Sequence, residues 1–178
     1  MAGAPKLEIR SATTGDAAAM AQIYEHHVLH GVASYEYEPP PPERFVAKLA
    51  ELGARGWPFL VAERGRAVVG YAYAAQLRDR VGYRFTCEDS IYVAADATGT
   101  GVGTVLLAEL IERATALDFK QMVAVIGGAE PASIALHAKL GFREVGRMSA
   151  IGFKFGRWLD SVYMQRGLGD AGYRAPGP

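Results

Sequence analysis

A strand-like run that enters a glycine-rich turn and then a helix leaves few folds open. Residues 88–93 read as a strand. They lead into Asp96-Ala97-Thr98-Gly99-Thr100-Gly101-Val102-Gly103-Thr104, where an amphipathic helical stripe begins. Backbone N–H groups at such a helix start have no partner within the helix, and the dipole adds positive potential. Glycines let an anion approach the backbone with no side chain between. Two familiar phosphate loops fail here. A nucleoside-triphosphate loop needs Gly-Lys-Ser/Thr, and Gly103 is followed by Thr104 with no Lys. A dinucleotide fingerprint needs its third Gly where Thr104 stands. A glycine-rich helix entry without a ligand is the plain alternative.

The surrounding pattern is strand, two helices, three strands, helix, strand, helix, two strands. Residues 7–11 form the first strand. Thr13-x-x-Asp16 opens a helix with Met20, Ile23, Tyr24 and Val28 at helical spacing. Residues 43–52 make a second helix closed by Gly53, after a four-proline run at 39–42 that can only be extended until it opens that helix. Residues 59–63 and 67–76 flank a turn at Arg64-Gly65, and 83–93 is the third strand. Val102, Val105, Leu106, Leu110, Ile111, Ala114 and Leu117 stripe the next helix. The apolar run 122–126 suits a buried parallel strand. A helix over 133–140 stops at Gly141, and 142–152 and 158–165 are the last strands. The fold class is α/β, a mixed layer fold around one sheet.

Composition narrows the function. The 178 residues suffice for one domain, expected over 1–166, with a Gly/Pro-rich tail at 167–178 expected to be disordered. Nineteen basic residues balance nineteen acidic ones, which argues against a global grip on nucleic acid. The single cysteine, Cys87, excludes a disulfide framework. No apolar run approaches the roughly 20 residues of a membrane span. The start, MAGAPKLEIR, lacks the apolar core of a signal peptide, so a cytoplasmic chain with no membrane partner is expected. His26, His27 and His30 have spacing that could gather a metal, but a solvated helix end accounts for them and no metal is expected.

Several segments, in order, carry a resemblance. They are ASYEYEPP at 33–40, YRFTCEDSIYV at 83–93, the glycine loop, VAVIG at 123–127, SIALHAKLGF at 133–142 and GFKFGRWLD at 152–160. Together they resemble the phosphinothricin acetyltransferase branch of the GNAT N-acetyltransferases, which includes methionine sulfone and sulfoximine acetyltransferases. The family's cofactor loop is Gln/Arg-x-x-Gly-x-Gly/Ala. Residues 98–103 fit it, with Thr98 where Gln or Arg is usual. The resemblance implies the GNAT fold: a single mixed, splayed β-sheet flanked by helices, with acetyl-CoA in the splay. It also implies a homodimer.

The resemblance carries roles over to named positions. The backbone at Ile91, Tyr92 and Val93 would run beside the pantetheine arm. Gly99, Thr100, Gly101, Val102, Gly103 and Thr104 would take the pyrophosphate. The start of the helix at Ser133 would contribute too, with Glu130 where the family usually has Asn. An acceptor amine of pKa near ~8 is mostly protonated at neutral pH, so a base is needed. Glu88 matches the family's glutamate; the bland alternative is a strand-edge Glu paired with Arg84. His137 stands where many GNAT enzymes have Tyr and this branch has His, and could protonate the departing thiolate, orient the acetyl group, or simply pack. Arg78, Arg80 and Arg84 with Tyr83 would bind an anionic acceptor, and Tyr35 would help wall its pocket; otherwise the arginines form a solvated basic loop. The implied activity is acetyl transfer from acetyl-CoA to a small amino-acid-like amine by direct attack. Acetylation of a protein N-terminus or lysine, or a noncatalytic CoA-binding dimer, remains open at this point.

Overall fold

Among the described residues, seven strands and four α-helices follow one another as the sequence pattern predicts. The computed structural model describes residues 5–169. The strands are β1 (Leu7–Ser11), β2 (Phe59–Arg64), β3 (Ala67–Gln76), β4 (Thr86–Val93), β5 (Gln121–Gly127), β6 (Arg143–Lys154) and β7 (Arg157–Gly167). The helices are α1 (Ala17–His30), α2 (Pro42–Ala54), α3 (Val102–Ala116) and α4 (Pro131–Lys139). They build one mixed sheet of order β1-β2-β3-β4-β5-β7-β6.

The sheet has a core on each face. On one, Leu106, Leu107 and Leu110 of α3 pack on Leu60, Ala62, Ala72, Ala74 and Met122. The alanines keep that surface low, so the leucines approach the strand backbone closely. On the other face, Met20, Ile23, Phe45 and Leu52 cover Phe59, Val61 and Tyr71. Each large side chain buried this way contributes roughly 1.5–3 kcal/mol.

The sheet's one parallel junction positions the site. β4 and β5 pair only from Thr86↔Gln121 to Asp89↔Ala124. Beyond that, β4 stays with β3 as far as Val93↔Gly70, and β5 stays with β7 as far as Gly127↔Ser161. Each strand follows its antiparallel neighbour, so the two part and the sheet splays.

The structure corrects several local expectations. The third strand begins at Thr86, not residue 83, because Val81–Tyr83 is a single tight turn. α2 runs past Gly53, and the left-handed glycine after it is Gly56, with φ of 68°. On α3, Val105 and Leu117 are exposed, whereas Leu107 is buried. The expected tail at 167–178 starts too early. Gly167 completes β7, and Leu168 is buried with its N–H donated to the Lys120 carbonyl at 2.9 Å. The rest of that tail, from residue 170, lies outside the described residues. Among the described residues no helix is long and apolar enough to cross a membrane.

Candidate active site

The splay is a cavity of about 190 Å³. β4 contributes Glu88 through Tyr92, and β5 contributes Ala124 through Gly127. Ala33 closes one end, and Ser133 and His137 of α4 form part of the wall. Side chains alternate along β4. Cys87 and Asp89 therefore face α3 and α4, while Glu88, Ser90 and Tyr92 face α1 and α2. A larger hollow, about 430 Å³, lies elsewhere, between Leu49, Trp57, Arg113 and Leu117. It touches neither the glycine loop nor the splay, and it gathers no acid–base pair.

Glu88, Asp89 and His137 are among the ionisable side chains that line the splay. Burial raises the proton affinity of Glu88, the neighbouring Asp89 raises it further, and Arg78 partly offsets both. Such a carboxylate is a better base near neutral pH than an ordinary one. His137 is buried, with Nδ1 2.7 Å from the Ser133 carbonyl oxygen and Nε2 3.1 Å from Asp89 Oδ2. Burial alone would lower its pKa, but the bond to Asp89, the charge of Asp89 and the Ser133 carbonyl outweigh burial and raise it. The edge of the ring meets Phe142, with centroids 5.0 Å apart. Both ring nitrogens are thus engaged. Cys87 is buried, and burial followed by the Asp89 charge holds its thiol protonated, so it is no nucleophile.

The glycine loop follows the unpaired end of β4. Gly99 and Gly101 have φ of 72° and 86°, which only glycine adopts readily, and a Cβ on either would meet nothing within 4 Å. The loop is open on its outer side. α3's first bond at this end runs from the Val105 N–H to the Gly101 carbonyl at 3.2 Å. The N–H groups of Val102, Gly103 and Thr104 precede that bond and form the anion-attracting end of the helix. Gly103 serves packing instead, since a Cβ there would press on Leu136 at 3.2 Å. Thr98 turns its hydroxyl back onto the Ala95 carbonyl at 2.8 Å. Arg64, the last residue of β2, reaches Thr100 Oγ1 at 3.2 Å and brings a cation to the loop. These features fit a pyrophosphate-bearing ligand whose arm enters the splay.

Other sequence-predicted residues fall at varied distances from this centre. Ile91 and Tyr92 line the cavity; Val93 lies just past it, and its carbonyl is 2.9 Å from His27 Nε2. Glu130 precedes α4 as its N-terminal cap residue, and its side chain makes no capping bond. Arg78, Arg80, Tyr83 and Arg84 are all exposed on the loop between β3 and β4, and none lines the cavity. Arg84 stacks on Phe85 at 4.4 Å and donates to its own loop at the Val81 carbonyl. Tyr35 is an anchor rather than a cavity wall. Its hydroxyl donates to the Asp160 carbonyl at 2.9 Å and accepts the Gly128 N–H at 3.0 Å, and its ring lies where a Cβ on Gly152 would be. The His26 and His30 rings lie 5.2 Å apart at a tilt of 47°, away from the splay lining.

Sequence reasoning missed Asp89, Arg64 and Lys154. Asp89 was hidden by Glu88 beside it, although strand alternation would have sent one of the pair to α4. Arg64 looked like an ordinary turn residue. Lys154 is buried and donates to the Gly31 and Ser34 carbonyls at 3.0 and 2.7 Å, holding the segment that contains Ala33 against the end of β6.

Known proteins share this fold. Residues 9–163 match the acetyltransferase (GNAT) domain family. A GNAT superfamily phosphinothricin acetyltransferase from Sinorhizobium meliloti, solved in complex with AcCoA, superposes with a TM-score of 0.93 at 47% identity, covering 97% of this chain and 93% of that one. The L-methionine sulfoximine/L-methionine sulfone acetyltransferase of Salmonella typhimurium is 39% identical over 159 residues, 89% of this chain and 93% of the relative. A ribosomal-protein-alanine N-acetyltransferase from Brucella melitensis superposes with a TM-score of 0.87 at 42% identity, covering 90% and 99% of the two chains. With its splayed sheet, open glycine loop and a match over nearly the whole length, this chain belongs to the GNAT acetyltransferase family.

Proposed function

We propose that this chain acetylates the amino group of a small amino-acid-like acceptor of the phosphinothricin, methionine sulfoximine or methionine sulfone type, using acetyl-CoA. The observation that carries the reading is Glu88. It is a carboxylate of raised proton affinity, at the mouth of the splay and on the face opposite α4. Bound acetyl-CoA supplies the thioester. Val102, Gly103 and Thr104 offer backbone N–H groups to its pyrophosphate, with Arg64 beside them. The open edge of β4 from Ser90 to Val93 receives its arm.

Glu88 takes a proton from the acceptor ammonium, directly or through one water. The neutral amine attacks the thioester carbonyl, and backbone N–H groups in the splay hold the developing oxyanion. As the C–N bond forms, the C–S bond breaks. The ammonium loses two protons in all: one ends on the CoA sulfur, and the other leaves through Glu88 to solvent. Arg78 and Arg80 with Tyr83 take the acceptor's anionic group; Arg84 is turned onto Phe85. The sulfoximine and phosphinothricin enzymes among the relatives support this acceptor class.

A second reading, acetylation of a protein N-terminal alanine, is favoured by the Brucella neighbour's name. One competition separates the two. The enzyme is given acetyl-CoA with equimolar methionine sulfoximine and an alanine-terminated peptide, and the acetylated products are weighed by mass spectrometry. N-Acetyl methionine sulfoximine is the expected main product. Preferential acetylation of the peptide would overturn the acceptor assignment.

The chain is proposed to be cytoplasmic, in keeping with its unpaired, buried Cys87. A homodimer is proposed through β6, an edge strand that exposes Val145, Met148, Ile151 and Phe153.

A further inference from the structure

We infer that Asp89 is a positioning residue that keeps His137 doubly protonated in the wall of the splay. The inference deepens the acetyl-transfer reading above and rests on it for the catalytic consequence. The geometry is specific. His137 Nδ1 faces the Ser133 carbonyl oxygen at 2.7 Å, an atom that only accepts. Nε2 faces Asp89 Oδ2 at 3.1 Å. A neutral imidazole has one N–H and can satisfy only one of the two. A second proton must sit between Nε2 and Oδ2. The hydrogen bond to Asp89 and the Asp89 charge favour that proton on the nitrogen. Both side chains are only 2% exposed, which removes the solvent that would otherwise weaken the pair.

The surroundings leave Asp89 as the partner that fixes this charge. The titratable groups lining the cavity are Glu88, Asp89, Tyr92 and His137. Glu88 and Tyr92 point to the opposite face of β4. From α4 the ring meets the Ser133 carbonyl, with Ser133 Oγ at 3.4 Å, and just before β6 it meets the uncharged ring of Phe142. Asp89 Oδ1 is buried and has no hydrogen-bond partner among the described residues. The carboxylate is therefore committed to His137. A thioester lodged in the splay would share this cavity with the imidazolium, whose charge would favour the sulfur as it gains negative charge. No proton has to leave the pair for this effect; the cation acts by its field and by keeping the cavity wall fixed.

The test begins with the unmodified protein. Nitrogen-15 NMR of the histidine rings, with His137 assigned by its loss in His137→Gln, reports ring protonation directly. His137 is expected to show two protonated nitrogens at pH 7 and to lose its charge only as pH rises above the ordinary histidine range. Asp89→Asn is expected to make the ring neutral at pH 7. It should also lower kcat about tenfold or more while changing the KM for acetyl-CoA less than about threefold, the pattern of a lost transition-state interaction. Asp89→Glu should restore part of both. A neutral His137 in the unmodified protein at pH 7 would overturn the inference, whatever the activity. So would an Asp89→Asn enzyme that keeps both the cationic ring and the wild-type pH profile. Wild-type protein with a cationic ring but no turnover on any amine would contradict the transfer reading instead, and the catalytic consequence with it.

Discussion

Glu88 is asked to be a base at neutral pH, and its surroundings push in that direction. Burial disfavours its charged form, Asp89 adds like-charge repulsion, and Arg78 only partly offsets the two. A raised pKa means that the group is protonated and idle at lower pH and becomes an active base as pH rises through that value. The acid limb of kcat/KM against pH should therefore fall above the ordinary carboxylate range. Arg78→Ala should move it higher still by removing the opposing charge. Initial rates between pH 5 and 9 check both, and an acid limb at the ordinary glutamate value would contradict the assignment. Glu88 was legible because its whole segment resembles the family. Its neighbour Asp89 was not, since nothing local in the sequence announces a bond to a helix 48 residues away.

Among the elements, the glycine loop was the most legible, because its constraint is local. Positive φ at Gly99 and Gly101 and a following helix are readable from residue types alone. The strand and helix order was legible for the same reason, through hydrophobic period. Ends were less so. Val81–Tyr83 turns because the Tyr83 and Arg84 N–H groups bond back to Arg80 and Val81, and residue types there suit a strand equally well. The α3 stripe misplaced Val105 and Leu107, because β2, β3 and β5 decide which side of the helix is covered. Tertiary placement also supplied Arg64, which reaches Thr100 of the loop from the β2–β3 hairpin, whereas Thr98 turns back onto Ala95. Arg64→Ala should raise the Kd for acetyl-CoA about three- to tenfold and weaken its salt dependence, with kcat changed less than about twofold. Calorimetry at two ionic strengths would show it. Unchanged affinity would remove Arg64 from the loop's function.

At the scale of the molecule, two cores and one opened junction give the chain a rigid frame around a hole in its own sheet. The hole persists because β4 and β5 are each held by an antiparallel partner on the far side. The outer edge is less complete. β6 ends the sheet with Met148 and Ile151 exposed, and Phe155 of the β6–β7 turn and Trp158 at the start of β7 are exposed beside them. A surface of this kind is an association site more often than a solvent face. Sedimentation should give a dimer for the wild-type chain, and Ile151→Glu should shift it toward monomer; a wild-type monomer at micromolar concentration would contradict the proposal. The acetyl-transfer claim itself is tested most directly by thiol release from acetyl-CoA with methionine sulfoximine, run on wild type and Glu88→Gln beside a binding measurement. Steady turnover in wild type is expected, with kcat/KM reduced about 100-fold or more in the variant and the Kd for acetyl-CoA within about threefold. Equal turnover by the two proteins across pH would contradict it.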